Sequence, residues 1–244
     1  MGKIVAIIEA RMSSSRLPGK VLMPIGKLNS LEHMIHRLRT VTKIQEICIA
    51  TTTNTEDDVI CQLASTNNVQ FYRGSEENVL SRVLEAAQNF EAETIVEVTG
   101  DCPFVDTEIV EQFISIYEGN NLDYVSNNIE CTYPDGMDVQ VFSTEVLRKS
   151  SIVATSEKEQ EHVTMEIRLS SGKYKKINIV APLSIRHPEI AITLDTLEDL
   201  TLLNAIQNEF GENLLFRCED IIGLLKSKPY LLELNKDVPR KGYN

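Results

Sequence analysis

The sequence predicts an α/β fold built on a mostly parallel central sheet. Three observations carry this reading. Apolar runs of strand length recur along the chain, each is followed by apolar residues at helical spacing, and the links from strand to helix are polar. Ile4-Val5-Ala6-Ile7-Ile8 reads as a buried strand, and Leu31, Met34, Ile35 and Leu38 give the helix after it. Ile47-Cys48-Ile49-Ala50-Thr51 is a second strand. Val59 and Leu63 then mark a helix that stops at Asn67-Asn68, before a short strand near residues 69–72. Val79, Leu80, Val83, Leu84, Ala87 and Phe90 recur at helical intervals, which puts residues 75–78 at a helix start. Thr94-Ile95-Val96-Glu97-Val98 is a central strand ending in Gly100-Asp101, followed by a helix through Ile109, Val110, Phe113, Ile114 and Tyr117.

The second half is less regular. Strand-like Tyr124-Val125-Ser126 and Val139-Gln140-Val141-Phe142 flank a turn-rich stretch and predict a β excursion over about residues 123–145. Residues 156–170 read as one helix, 175–180 as a strand and 191–194 as a last short strand. Leu200, Leu203, Ile206 and Phe210 form a closing helix, and residues 221–225 belong to another. At 244 residues, with no linker-like stretch and no internal repeat, the chain reads as a single domain over 1–244.

A net charge of −12 argues against a nucleic-acid backbone as partner. Five cysteines, at positions 48, 61, 102, 131 and 218, have no metal-like spacing and fit reduced thiols in a cytoplasmic protein. Met1-Gly2-Lys3 runs directly into a strand rather than a signal peptide, and no apolar run approaches the ~20 residues that cross a bilayer. A soluble protein without a membrane partner is expected.

Cationic residues concentrate where the first strand ends, in Glu9-Ala10-Arg11-Met12-Ser13-Ser14-Ser15-Arg16-Leu17-Pro18-Gly19-Lys20. In open α/β sheets, ligands sit beyond the carboxyl ends of the strands. Arg11, Arg16 and Lys20 supply charge there, and the serines and Gly19 supply hydroxyl and main-chain donors, a combination suited to phosphate. The loop is not a Walker A motif: Ser14 stands where its first Gly would be, and Val21 where its Ser or Thr would be. On composition alone, an ordinary basic surface turn accounts for it equally well.

Residues 10–20 resemble the A-R-x-x-S-x-R-L-P-G-K signature of the CTP-dependent sugar cytidylyltransferases, which include the acylneuraminate and 3-deoxy-manno-octulosonate enzymes. Tyr72-Arg73-Gly74-Ser75-Glu76-Glu77-Asn78-Val79-Leu80, Thr99-Gly100-Asp101-Cys102-Pro103 and Tyr133-Pro134-Asp135-Gly136-Met137-Asp138-Val139 resemble the spore-coat polysaccharide subfamily. So do the Glu161-His162-Val163-Thr164 and Leu194-Asp195-Thr196 stretches, carrying the similarity from about residue 3 to about residue 210. The resemblance implies a Rossmann-like nucleotidyltransferase fold and a homodimer to which the β excursion contributes. It also implies transfer of CMP from CTP to a sugar-like acceptor, with release of pyrophosphate, for surface polysaccharide synthesis.

The resemblance assigns residues as well. Asp101 and Asp195 match the pair that binds Mg²⁺, an ion that commonly takes one or two carboxylates plus substrate phosphates. Asp195 also stands in a stretch with helix-capping chemistry, Thr196 and Asp199 forming a box, and Leu197 replaces the proline usual in the motif. Arg11, Arg16 and Lys20 would stabilise charge on the leaving phosphates, with Lys20 at the α-phosphate. Main chain near Ala10, together with Arg73, Ser75 and Arg82, would surround the nucleotide. Arg73 and Arg82 could equally be surface or ion-pair residues. Tyr133, Asp135, Asp138, Glu161 and His162 are the acceptor-side candidates, although Pro134-Asp135-Gly136 would suffice for a turn and His162 for a satisfied helix histidine. The alternatives in function are a nucleotide-sugar-dependent glycosyltransferase on a similar sheet and a non-catalytic nucleotide-binding protein.

Overall fold

The computed structural model describes residues 2–240. After β1 (Ile4–Glu9), a loop and a 3₁₀ turn lead into the hairpin β2 (Pro24–Ile25) and β3 (Leu28–Asn29), then α1 (Ser30–Leu38). The alternation continues through β4 (Glu46–Thr52), α2 (Asp58–Thr66), β5 (Gln70–Gly74), α3 (Val79–Asn89), β6 (Thr94–Thr99) and α4 (Thr107–Gly119). Next come β7 (Tyr124–Ser126), β8 (Gln140–Ser143), α5 (Thr144–Ser151), α6 (Glu157–Glu161), α7 (Met165–Leu169) and β9 (Lys176–Asn178). The described chain closes with α8 (Leu197–Phe210), α9 (Cys218–Ser227) and a 3₁₀ segment, Pro229–Leu234.

Seven strands form the main sheet in the order β5-β4-β1-β6-β8-β7-β9. β1 pairs in parallel with β4 and β6, and β4 with β5, so these strands end along one edge. Helices cover both faces, which is why β1 reads as an unbroken apolar run. Ile4, Ala6 and Ile8 pack into a core with Leu31, Met34 and Phe113, while Val5 and Ile7 point into a second core with Val83, Ala87 and Phe142. Each fully buried aliphatic side chain of this kind contributes about 1.5–3 kcal/mol. Local chemistry sets the helix starts: Asn29 and Glu32 make a reciprocal capping box on α1, and Asp106 caps α4.

The strands that flank the stretch expected as a β excursion over about 123–145 join the main sheet, β8 lying antiparallel between β6 and β7. Val125 and Val141 are fully buried there, so their apolar faces require the sheet's own cores. Residues 156–170 form two short helices rather than one, broken at His162–Thr164, where Val163 turns into the core and the Thr164 hydroxyl lies 3.3 Å from the Tyr124 hydroxyl. Residues 191–194 form no strand; Ala191 alone bridges to Asp135. The Ile192 N–H donates to the Asp135 carbonyl (2.8 Å) and the Leu194 N–H to the Asp101 carbonyl (2.8 Å), so this segment is stitched to two loops instead of one strand.

Gly136 makes the first of those stitches possible. Its φ is 103°, and a Cβ there would lie 2.9 Å from the backbone of Ile192 and Thr193. Gly136→Ala is expected to cost about 1–3 kcal/mol, read as a fall of several degrees in melting temperature. An unchanged melting temperature would show that the turn does not press on residues 192–193.

Candidate active site

β1 delivers the cationic loop to the ligand edge of the sheet, where the Ala10 N–H donates to the Ala50 carbonyl (3.2 Å). The loop then folds on itself, with the N–H groups of Ser14 (2.9 Å) and Gly19 (2.8 Å) both donating to the Met12 carbonyl. It is also tied down from outside. The Met12 N–H donates to Asp57 Oδ1 (2.7 Å), and the other oxygen of this fully buried carboxylate receives the Thr52 N–H (3.1 Å) and hydroxyl. Glu76 receives the Ser13 hydroxyl, the Asn54 side-chain amide (2.6 Å) and Arg11 (3.4 Å). Hydrogen bonds from Ser13 and Asn54 hold its carboxyl below the usual pKa.

Across the cleft stand two carboxylates. The Gly100 N–H donates to the Glu9 carbonyl (2.9 Å), and a Cβ at Gly100 would lie 2.3 Å from that oxygen, so glycine lets β6 deliver Asp101 close against β1. The Asp101 carbonyl in turn accepts the Leu194 N–H (2.8 Å) and the Thr193 hydroxyl (3.1 Å), which brings Asp195 alongside. Lys20 Nζ lies 2.8 Å from both Asp101 Oδ2 and Asp195 Oδ1, and Arg16 lies 2.7 Å from Asp195 Oδ2. Burial works against charge on Lys20 and Asp101, but their mutual attraction and hydrogen bond outweigh it, raising the lysine pKa and lowering that of the carboxyl.

Asp195 is itself held in place. Asp199 Oδ2 accepts the N–H groups of Asp195 (3.1 Å) and Thr196 (3.0 Å), and Thr196 caps α8, so capping and cleft-facing roles are shared between neighbouring residues. Asp199 has no exposed surface and is gripped in turn by Asn235 (2.8 Å) and Arg240 (2.7 Å).

These elements bound one cleft of about 670 Å³ that brings together Ala10, Arg11, Arg16, Lys20, Arg82, Asp101, Asp135, Glu161, His162 and Asp195. Asp138 borders an adjoining recess that Glu161 and His162 share. Three predicted residues lie outside the cleft lining. Arg73 binds the Thr52 (2.8 Å) and Asn54 (2.7 Å) carbonyls and pairs with Asp58 (2.6 Å), pinning the turn after β4. Ser75 accepts the Asn78 N–H (3.0 Å) in the turn before α3, which Arg82 closes by donating to the Ser75 carbonyl. Tyr133 is buried edge-on to Phe113, its ring centroid 6.4 Å away, and burial pushes its hydroxyl up to about 12.

Sequence reasoning passed over Glu9, Glu97, Lys158, Arg168 and Arg240, all of which line the cleft or its recess. Glu97, an acid inside an apolar strand, carried a signal. Its carboxyl meets that of Glu9 on the same face of the sheet and accepts from the Gln140 amide. Burial raises the pKa of both acids, well above the ordinary range for Glu97, where the charge of Glu9 adds to the effect. Asp135 is likewise pushed up to about 7 by burial, then by Asp138 and Asp101.

Among the described residues, no three His, Cys, Asp or Glu side chains are grouped to hold a metal ion. Asp101 and Asp195 nevertheless converge on a single cation, the Lys20 ammonium, and a two-carboxylate donor set completed by water and phosphate suits Mg²⁺. The residues present therefore fit that ion.

The chain is similar to known proteins over most of its length. A cytidylyltransferase family model matches residues 5–214. The spore coat polysaccharide biosynthesis protein SpsF of Bacillus subtilis is 34% identical over 236 residues, which span 94% of this chain and 96% of that protein. A cytidylyltransferase from Leptospira borgpetersenii superposes with a TM-score of 0.91 at 27% identity, over 99% of this chain and 100% of that one. The CMP:2-keto-3-deoxy-manno-octonic acid synthetase complexed with CTP shares the fold, with a TM-score of 0.64 at 19% identity over 85% of this chain and 99% of that one.

The acid pair makes stability depend on pH. A carboxyl whose pKa is raised in the folded state leaves the unfolded chain losing its proton first, so stability falls as pH climbs above the ordinary carboxylate range. Glu97→Gln removes this penalty, and its melting temperature relative to wild type is expected to rise between about pH 5 and about pH 8. A difference that stays flat with pH would mean that burial does not raise the Glu97 pKa.

Proposed function

Because the chain belongs to the cytidylyltransferase family and is a nucleotidyltransferase, we propose that it moves CMP from CTP to a sugar-like acceptor with Mg²⁺ and releases pyrophosphate. The observation that carries this reading is the cationic loop of Arg11, Arg16 and Lys20 facing Asp101 and Asp195 across one cleft.

An acceptor oxygen attacks the α-phosphorus in line, and the bond to the pyrophosphate oxygen breaks. Arg11 and Arg16 grip the triphosphate, and Lys20 follows the charge that develops at the α-phosphate and the leaving oxygens. Mg²⁺ held by Asp101 and Asp195 would add positive charge at those same oxygens. Ala10 main chain and the turn closed by Arg82 border the nucleoside. Arg73 and Ser75 act behind that wall by holding the turns that shape it. On the other side, Asp135, Asp138, Glu161 and His162 face the acceptor, with Tyr133 as buried support. For a hydroxyl acceptor, Asp135 is placed to take the proton, since its pKa of about 7 leaves it partly ionised near neutrality. A phosphate acceptor needs no such base.

We further propose that the chain works as one domain, as a homodimer and in the cytoplasm, in surface polysaccharide synthesis. Exposed Ile129, Ile177, Val180 and Leu183 on and beside edge strand β9 support a self-association surface. All five cysteines are free, which suits a reducing compartment, and no described helix is long and apolar enough to cross a membrane.

The direct test is thermal shift with CTP, UTP, GTP and ATP, each with and without Mg²⁺, and then pyrophosphate release from an acceptor panel. CTP alone is expected to raise the melting temperature selectively, more so with Mg²⁺; preference for another base would overturn the reading. Asp101→Asn, Asp195→Asn and Lys20→Ala are each expected to lower kcat by about 100-fold or more with the fold intact, and near-normal turnover would remove that residue from the reaction. With a hydroxyl acceptor, kcat should rise with pH through about 7, and Asp135→Asn should flatten that rise.

A further inference from the structure

We propose that Lys20 is the resident cation of the Asp101–Asp195 carboxylate pair in the free protein. In that role it keeps a divalent ion off the pair until a nucleoside triphosphate draws the ammonium away. The inference rests on the nucleotidyl-transfer reading of the cleft, but it concerns the order in which the site is loaded.

The geometry is that of an occupied cation site. Lys20 Nζ is held at 2.8 Å by one oxygen from each carboxylate, and Arg16 takes the remaining oxygen of Asp195 at 2.7 Å. Two negative charges thus face two positive ones, and little attraction remains for a third cation. An ion bridging the two carboxylates would have to stand where Nζ stands, and at such short range an ammonium and a divalent ion repel strongly. The Lys20 and Asp195 side chains are each only 13% exposed, so water screens this poorly. No third protein ligand is grouped with the pair among the described residues, so the two carboxylates alone make a weak metal site even without competition.

A triphosphate changes both sides of this balance. Its oxygens offer Lys20 and Arg16 alternative anionic partners and offer a metal its missing ligands. Lysine suits such an exchange, being a compact charge on a flexible four-carbon stem, with no fork to satisfy geometrically. Lys20 also opens the 3₁₀ turn of residues 20–22, at the end of the loop that would meet the phosphates. Metal and nucleotide should therefore bind with positive coupling, each raising the affinity for the other.

Mn²⁺, followed by its paramagnetic resonance signal, tests this without turnover. Lys20→Met is expected to bind Mn²⁺ alone at least about 10-fold more tightly than wild type, and the gain should vanish in the Lys20→Met, Asp101→Asn double variant. Lys20→Gln serves in the same way if the methionine variant does not fold. Equal Mn²⁺ affinity in wild type and variant, including no binding by either, overturns the proposal. So does a wild-type thermal shift with Mn²⁺ and the protein's preferred nucleoside triphosphate together that is no larger than the sum of the separate shifts. Because the variant comparison uses the metal alone, a preference for a nucleotide other than CTP would sink the cytidylyltransferase reading and leave this result standing.

Discussion

Opposite charges gathered at one edge of the sheet are the constraint on which the rest of the site depends. β1 and β6 run in parallel register and release Glu9 and Thr99 side by side, so the segments that leave them must share one small space. β1 opens into a basic loop there, and β6 into a carboxylate. Neither would be stable in that space alone: Arg11, Arg16 and Lys20 would repel one another, as would Asp101, Asp135 and Asp195. Asp135, which pairs with none of these cations among the described residues, shows what an acid in this position experiences, being pushed up to about 7. The acidic excess of the chain as a whole thus coexists with a local concentration of cations, each facing a carboxylate.

Much of the fold was legible because burial leaves a trace in sequence. β1, β4 and β6 are covered on both faces and appear as apolar runs, and the helices between them show one apolar side. Residues 191–194 carry the same apolar signal but lack a neighbouring strand, since their N–H groups go to the Asp135 and Asp101 carbonyls; sequence pattern records burial, not the partner. The same limit explains residues 156–170, where apolar spacing continues across a break made by a side-chain network around Thr164 and Tyr124.

The site divides along the same line. Arg11, Arg16, Lys20, Asp101 and Asp195 stood out through the motifs that carry the family resemblance, and they line one cleft. Asp57 and Glu76, which position the loop, were not, since their partners lie 45 and 63 residues away in sequence. Arg73 sits between two motif residues yet spends its three donor groups on the turn after β4. Glu9 and Glu97 could have been noticed as acids bordering or interrupting apolar strands, but only the parallel register places them in contact.

The grip of Asn235 and Arg240 on Asp199 has a consequence for how the enzyme is made. Asp195 takes its position from Asp199, and Asp199 takes its own from residues that leave the ribosome some forty residues later. A nascent chain can close the sheet and present its basic loop well before that point. Its second carboxylate, however, lacks a fixed address until the final described turn has docked. The two acids therefore come into place later than the sheet in biosynthesis, and a chain cut before Asn235 would carry the sheet without either of the residues that grip Asp199.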